Sequence, residues 1–193
     1  MKIITKEEFL DNVHFYLAEI GKGKIFVYGT DTIYGIGCDA ENDDAVSKIR
    51  AIKKRADKPF SVIVPDKKWI RKNCVLGKNA EKWLDELPGP YTLILELKNS
   101  TAVSKKVNFC FGSLGVRIPA HWFAEVIEKY GKPFVTTSVN SSGEPFIKSL
   151  DNLTREMKEK IDYAVDEGYL DGNPSTIVKL LGNKEEIVNR KEN

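Results

Sequence analysis

Between Lys48 and Lys58 the chain gathers six cations, Lys48, Arg50, Lys53, Lys54, Arg55 and Lys58, against one carboxylate, Asp57. Arginine presents a planar fork of donors and lysine a point charge, so such a cluster can clamp phosphate oxygens. Each charge-assisted bond would contribute about 1.5–3 kcal/mol, and two or three would hold a triphosphate if the side chains converge. A solvated helix end is the commoner reading of a charge cluster, and cations at a helix C-terminus are stabilised locally by the macrodipole. Gly29-Thr30-Asp31-Thr32 offers small side chains and hydroxyls where an apolar run ends. Ser138-Val139-Asn140-Ser141-Ser142-Gly143 follows another such run. It reads either as a polar turn making local backbone bonds or as donors at a strand's carboxyl end, where α/β sheets bind ligands. Arg117 stands inside the apolar Gly115-Val116-Arg117-Ile118-Pro119. A charge there must be paired or face a cavity, and a ligand carboxylate or a structural Asp or Glu would serve equally. Asn173-Pro174-Ser175-Thr176 opens a strand and reads as a turn. No Ser-His-Asp arrangement stands out, and neither His14 nor His121 has an evident partner. Gly35-x-Gly37 completes no dinucleotide fingerprint and reads as a tight turn; no Gly-rich loop ends in Gly-Lys-Ser/Thr. The chemistry left is charge stabilisation and positioning, as in phosphoryl or nucleotidyl transfer.

The elements that must position these groups follow from periodicity and caps. Thr5 to Glu8 has the form of a capping box, and Phe9, Leu10, Val13, Leu17 and Ile20 share a helical face closed by Gly21. A strand is expected over 25–28, then a helix opened by Asp43 and Asp44 with Ala45, Val46, Ile49 and Ile52 as its apolar stripe. Further strands are expected over 60–64, 91–97, 114–118 and 133–139, and helical segments around Trp69 and Trp83 and over 120–130 and 150–161. The segment 100–113 is polar and irregular and reads as a mobile loop, a candidate lid. Two strands over 176–181 and 186–190, joined through Gly182-Asn183, give a hairpin. Interleaved strands and helices make the class α/β or α+β, and Pro88-Gly89-Pro90 with the final hairpin predicts a mixed sheet.

The 193 residues suit one domain, and 30 Lys and Arg against 28 Asp and Glu leave a net charge of +2. That balance does not by itself argue for nucleic acid. No run reaches membrane-spanning length and the N-terminus lacks the pattern of a signal peptide, so the expected location is cytoplasmic. Cys38, Cys74 and Cys110 are odd in number and widely spaced; with two histidines they form neither a disulfide framework nor a zinc pattern and read as buried or semi-buried apolar residues.

Taken together, T-D-T-I-Y-G-I-G-C-D-A from Thr30, K-x-R at Lys53 and Arg55, P-G-P-Y-T, G-V-R-I-P, T-S-V-N-S-S-G and S-T-I-V resemble the YrdC-like threonylcarbamoyl-AMP synthases. The order and spacing match from about Ile25 to Arg190, and six motifs in order are far more specific than any one. The resemblance implies a single YrdC-like domain over 1–193, an α/β fold with a twisted mixed sheet of parallel and antiparallel strands, flanking helices and a large concave cavity. It implies synthesis of threonylcarbamoyl-adenylate and pyrophosphate from L-threonine, bicarbonate and ATP, for threonylcarbamoylation of adenosine in tRNA.

By the same resemblance, Lys53 and Arg55 would be catalytic. Arg55, Lys58, Ser113, Asn140 and Arg190 would contact ATP, and Thr32, Tyr34, Arg117, Ser138 and Ser175 would bind threonine or its carbamate. Mg²⁺ would arrive with the ATP phosphates, since the chain offers no dedicated acidic cage. The product would pass to a tRNA-modifying threonylcarbamoyl transferase complex, and direct tRNA or RNA binding is open; no membrane is involved. Lys58-Pro59-Phe60-Ser61 also resembles YciO-like paralogues, for which a basic concavity holding RNA or a nucleotide without this synthesis is the alternative. Carbamoyl chemistry like that of hydrogenase-maturation carbamoyltransferases is a third reading, but the partner domains of those proteins have no counterpart in the sequence.

Overall fold

The computed structural model describes residues 1–55, 57–141, 143–182 and 184–190. Strand β1 (Lys2–Thr5) runs into α1 (Lys6–Asp11) and α2 (Val13–Gly21). Then come β2 (Phe26–Tyr28), β3 (Gly35–Gly37), α3 (Asp43–Lys53), β4 (Ser61–Ile63), α4 (Lys67–Asn73) and α5 (Ala80–Asp85). Next are β5 (Tyr91–Glu96), α6 (Lys105–Asn108), β6 (Ser113–Arg117), α7 (Trp122–Tyr130) and β7 (Phe134–Ser138). A 3₁₀ turn at Leu150–Asn152, α8 (Arg155–Lys160), β8 (Tyr163–Asp166), β9 (Thr176–Leu181) and β10 (Lys184–Val188) complete the order.

Local chemistry explains the ends of α3. Asn42 caps it by accepting from the Ala45 amide at 3.0 Å, Asp43 and Asp44 occupy the first turn, and Lys54 at φ 48° turns the chain into the left-handed region that stops it. Its stripe of Ala45, Val46, Ile49 and Ile52 is buried as expected. Thr5 caps α1 through the Glu8 amide at 3.1 Å, but the reciprocal half of the box is missing: the Glu8 carboxylate turns to Lys2 Nζ at 2.5 Å and to the Tyr16 hydroxyl at 3.3 Å. The single helix expected over 9–20 is two, interrupted at Asn12, whose ψ of 30° leaves the helical range. The helix expected over 150–161 is likewise a 3₁₀ turn and α8, separated at Leu153 and Thr154, with the Thr154 hydroxyl restarting it.

Ten strands form one sheet in the order β1-β8-β2-β3-β7-β4-β6-β5-β9-β10. Pairs β1/β8, β2/β8, β4/β6 and β5/β9 are parallel, and the other five are antiparallel, so the sheet is mixed. The final hairpin forms, with Val178 opposite Ile187; Asn183 of its turn and Ser142 of the 138–143 stretch lie outside the described residues. Gly35-x-Gly37 corrects the expectation of a tight turn: it is β3, pairing with β2 and β7. A Cβ at Gly37 would collide with the Val135 carbonyl and the Phe134 ring, so the glycine serves close strand approach rather than a bend.

Side chains alternate across the sheet with period two. Val62, Leu93, Leu95, Val116, Val135 and Val178 belong to the larger core together with the stripe of α3. The opposite face is covered at one end by α1, α2 and α7, where Phe9, Tyr16, Tyr28, Phe123 and Phe134 pack together; the Tyr28 and Phe123 rings stack at 4.0 Å. The intervening residues Ser61, Thr92, Ile94, Arg117, Thr136, Ser138 and Ile177 line a cleft on that second face. Alternation therefore decides which polar groups can meet there.

The segment 100–113 is more ordered in its contacts than a mobile loop. It contains α6, buries Val103, Val107, Ser104 and Asn108, and donates and accepts across its neighbours: Ser104 N to Ala40 O at 2.8 Å and Phe60 N to Val107 O at 2.9 Å. Only the Phe109–Gly112 turn stands out, with φ of 53°, 62° and 71° at Phe109, Cys110 and Gly112 and Phe111 64% exposed. Cys110 is exposed, against expectation, while Cys38 and Cys74 are buried. Among the described residues no helix is long and apolar enough to cross a membrane.

Candidate active site

The cleft encloses about 280 Å³. Thr30, Thr32 and Tyr34 enter from the β2–β3 connection, Arg55, Pro59 and Phe60 from the segment after α3, and Ser175 and Arg190 from the two ends of the β9–β10 hairpin. Three guanidinium groups, Arg55, Arg117 and Arg190, share this lining, and no carboxylate is among its described residues.

Arg117 ends β6 and is 6% exposed. Of the two partners the sequence allowed, the structure supplies the acid: Asp31 Oδ1 accepts from Arg117 Nη2 at 2.6 Å, and Asp31 Oδ2 accepts from the Ala120 amide at 2.9 Å. The pair leaves Arg117 Nε buried without a partner. Burial holds the Arg117 guanidinium below its ordinary value, and Asp31 opposes that. Arg55 donates from Nη2 to the Pro59 carbonyl at 2.7 Å, and its Nε is also buried and unpartnered; burial lowers it too. Arg190 spans the hairpin, donating to Ser175 O at 2.8 Å and Ser175 Oγ at 2.6 Å. Its pKa is lowered by burial and then by the positive charges of Arg117 and Arg55. Three mutually repelling cations with unused donors make a cleft suited to anions.

Lys53 is 2% exposed rather than a solvated helix-end charge. Its Nζ donates to the Ser138 carbonyl at 2.6 Å and to Asn140 Oδ1. Burial, then Arg55, pull its pKa down to about 7, while Glu144 opposes them. Ser138 Oγ donates to Asn140 Oδ1 at 2.7 Å, so Lys53, Ser138 and Asn140 form one bonded group, of which Ser138 reaches the cleft wall. Thr32 Oγ1 lies 2.9 Å from Thr30 Oγ1, Ser175 Oγ 2.7 Å from Thr92 Oγ1, and the Tyr34 hydroxyl donates to Gly168 O at 2.9 Å.

Four singled-out residues are not brought into this lining: Lys53 and Asn140 are joined to it only through Ser138, and Lys58 and Ser113 lie apart. Lys58 is exposed and outside it. Ser113 shares the Arg117 face of β6 but starts the strand, about 13 Å away at four residues' rise. Lys54 also turns away, pairing with Glu156 at 3.1 Å in the open.

Sequence reasoning passed over several contributors. Asp31 sits inside the Thr30–Thr32 motif, and its role was open only as an unnamed acid. Arg50 was counted merely as charge, yet its guanidinium lies 4.4 Å from the Phe60 ring centre and 3.9 Å from that of Phe109. It donates to the carbonyls of Lys106 (2.5 Å), Val107 (3.2 Å), Arg55 (3.1 Å) and Lys58 (3.1 Å), pinning the Arg55 segment to α6. His121, expected to lack a partner, meets Glu167 at 2.9 Å. Among the described residues no group of three or more His, Cys, Asp or Glu side chains converges as a metal cage.

Comparison with known proteins places this geometry. A family model named for Sua5, YciO and YrdC and described as "Telomere recombination" matches residues 18–191. A putative threonylcarbamoyl-AMP synthase of Methanocaldococcus jannaschii is 36% identical over 184 residues, covering 94% of this chain and 86% of that protein. The crystal structure of P. abyssi Sua5 complexed with L-threonine superposes with a TM-score of 0.83 at 26% identity, over 93% of this chain and 54% of that one; the chain thus spans about half the length of that Sua5. E. coli YciO, at 23% identity and a TM-score of 0.81 over 93% of this chain and 89% of that one, shares the fold. A match over nearly the whole length, on a sheet of the same architecture, assigns the chain to the Sua5/YciO/YrdC family.

Proposed function

We propose that this protein makes threonylcarbamoyl-AMP and pyrophosphate from L-threonine, bicarbonate and ATP. The observation that carries the reading is the convergence of Arg55, Arg117 and Arg190 on one cleft with no carboxylate among its described residues, and with Arg55 Nε and Arg117 Nε left buried and unpartnered. Buried donors without acceptors are costly, and an anionic substrate supplies the acceptors. The names of the relatives point to the same reaction.

In this reading the threonine amine adds to carbon dioxide delivered as bicarbonate, losing a proton and giving a carbamate. A carbamate oxygen attacks the α-phosphorus, the bond to the bridging oxygen breaks, and pyrophosphate leaves. Arg117, only partly neutralised by Asp31, holds the amino-acid carboxylate beside Thr32 and Ser175. Arg55 and Arg190 take phosphate oxygens. Lys53, donating to the Ser138 carbonyl and Asn140, fixes Ser138 and Asn140 rather than reaching the substrate as a free cation. Mg²⁺ enters with ATP, since the described residues of the lining supply no carboxylate to hold it alone. A water-poor cleft protects both the carbamate and the mixed anhydride. The labile product passes in the cytoplasm to a threonylcarbamoyl transferase acting on tRNA.

Incubation of the purified chain with ATP, L-threonine, bicarbonate and Mg²⁺ tests this. Pyrophosphate release that requires both threonine and bicarbonate is expected. Tight ATP binding without such release would overturn it in favour of a nucleotide-binding module of the YciO kind. Arg55→Ala should cut turnover about 10- to 150-fold, the equivalent of one charge-assisted bond, and wild-type turnover in that variant would remove Arg55 from the site.

A further inference from the structure

Glu167 follows β8 and belongs to none of the site motifs, yet it holds both ends of the turn that carries Thr32. Its half-buried carboxylate accepts from the Gly29 amide at 3.0 Å on one oxygen. The other oxygen accepts from Trp122 Nε1 at 3.1 Å and meets His121 Nε2 at 2.9 Å. Its own backbone amide donates to the Tyr34 hydroxyl at 2.9 Å. A Cβ at residue 29 would run into the Glu167 carboxylate, so glycine is what lets the acid approach the amide. Burial pushes the Glu167 carboxyl up, but His121, Trp122 and the Gly29 amide outweigh it and hold the group below the usual range.

The turn needs such support. β2 ends at Tyr28 and β3 begins at Gly35, so residues 29–34 have no ladder partners. Inside it, Thr30 Oγ1 accepts from the amides of Thr32 at 3.1 Å and Ile33 at 3.2 Å, which fixes its shape but not its place in the molecule. Place is set by Asp31, tied to Arg117 and Ala120, and by Glu167.

We propose that Glu167 is a positioning residue for the amino-acid half of the cleft, holding the Thr30–Thr32 turn against the Arg117 wall. This deepens the reading of the site as a threonine-dependent synthase and rests on it. Glu167→Gln keeps the volume, but its NH₂ group must face either the Gly29 amide or the Trp122 indole, so at least one N–H loses its acceptor. In that variant the KM for L-threonine should rise about tenfold while the KM for ATP stays within twofold. Amide exchange in residues 29–33 should quicken with β6 unchanged. Gly29→Ala, which drives the same carboxylate away, should reproduce both effects, and the double variant should be no worse than either single one. Equal rises in both KM values, or an unchanged KM for threonine, would overturn the proposal by reducing Glu167 to a general structural contact. If the wild type shows no threonine-dependent turnover, the reading of function fails. Exchange at 29–33 then decides the positioning role alone, and unchanged exchange in Glu167→Gln overturns it.

Discussion

Replacing Lys53 with methionine should erase a pH dependence of stability that the wild-type chain carries. In the unfolded chain the ammonium titrates near 10.5; in the fold, burial and then the neighbouring Arg55 bring it to about 7. The buried neutral amine has two N–H groups, and the Ser138 carbonyl and Asn140 Oδ1 accept them. Below about pH 7 both states hold the proton and Lys53 contributes no slope. Between about 7 and 10.5 the unfolded chain keeps a proton that the folded chain has released, so stability rises with pH. At 1.36 kcal/mol per pH unit, and half-ionised at the start, the gain from pH 7 to pH 9.5 is about 3 kcal/mol. Urea unfolding of wild type and Lys53→Met at the two pH values measures it. The difference between the two proteins is the quantity to read, because Tyr28, Tyr130 and Cys38, raised by burial, make stability fall at high pH in both. A wild-type advantage that stays constant or shrinks between pH 7 and 9.5 would refute the reasoning, since it would mean that Lys53 stays charged in the fold.

Two further substitutions probe the frame of the site. Asp31→Asn strips the counterion from a buried Arg117 and should cost about 3–5 kcal/mol in urea unfolding; a loss under about 1 kcal/mol would show that the guanidinium finds solvent or another acceptor. Gly37→Ala should cost at least about 1–3 kcal/mol by overpacking against the Val135 carbonyl and the Phe134 ring, and an unchanged melting temperature would contradict the close β3–β7 approach.

Much of this architecture was legible locally. The Tyr91–Leu97 run alternates residues that face the core, Leu93 and Leu95, with residues that face the cleft, Thr92 and Ile94, and the Asn42 cap with its acidic first turn announces α3. A lone arginine in an apolar strand correctly flagged Arg117 as a charge needing an answer, though not which answer. What escaped detection depends on partners distant in the chain. β1 and β8 are short and pair with each other across more than 150 residues, Ile4 lying opposite Val165, so neither shows a hairpin signal. β3 was hidden because two glycines resemble a turn when the Val135 backbone that requires one of them is out of view. Glu167 sits in an ordinary polar stretch and His121 among apolar neighbours, and only the meeting of the end of β8 with the start of α7 makes them a pair. The same holds for Lys53: its place in a run of cations advertised solvent exposure, whereas the tertiary fold buries it under Ser138 and Asn140.

The five bonds from Arg50 all end on main-chain carbonyls, four oxygens in all. Every amino acid brings that oxygen, so these bonds between α6 and the approach to Arg55 do not depend on which side chains occupy positions 58 and 106, while Val107 is held by the core. Sequence drift can proceed at those two positions without loosening the bonds, while position 50 has little such latitude: a lysine would offer three donors from a single atom where the planar fork reaches four oxygens. Positions 58 and 106 can thus vary around a residue that looks, in the bare sequence, like another member of a basic run.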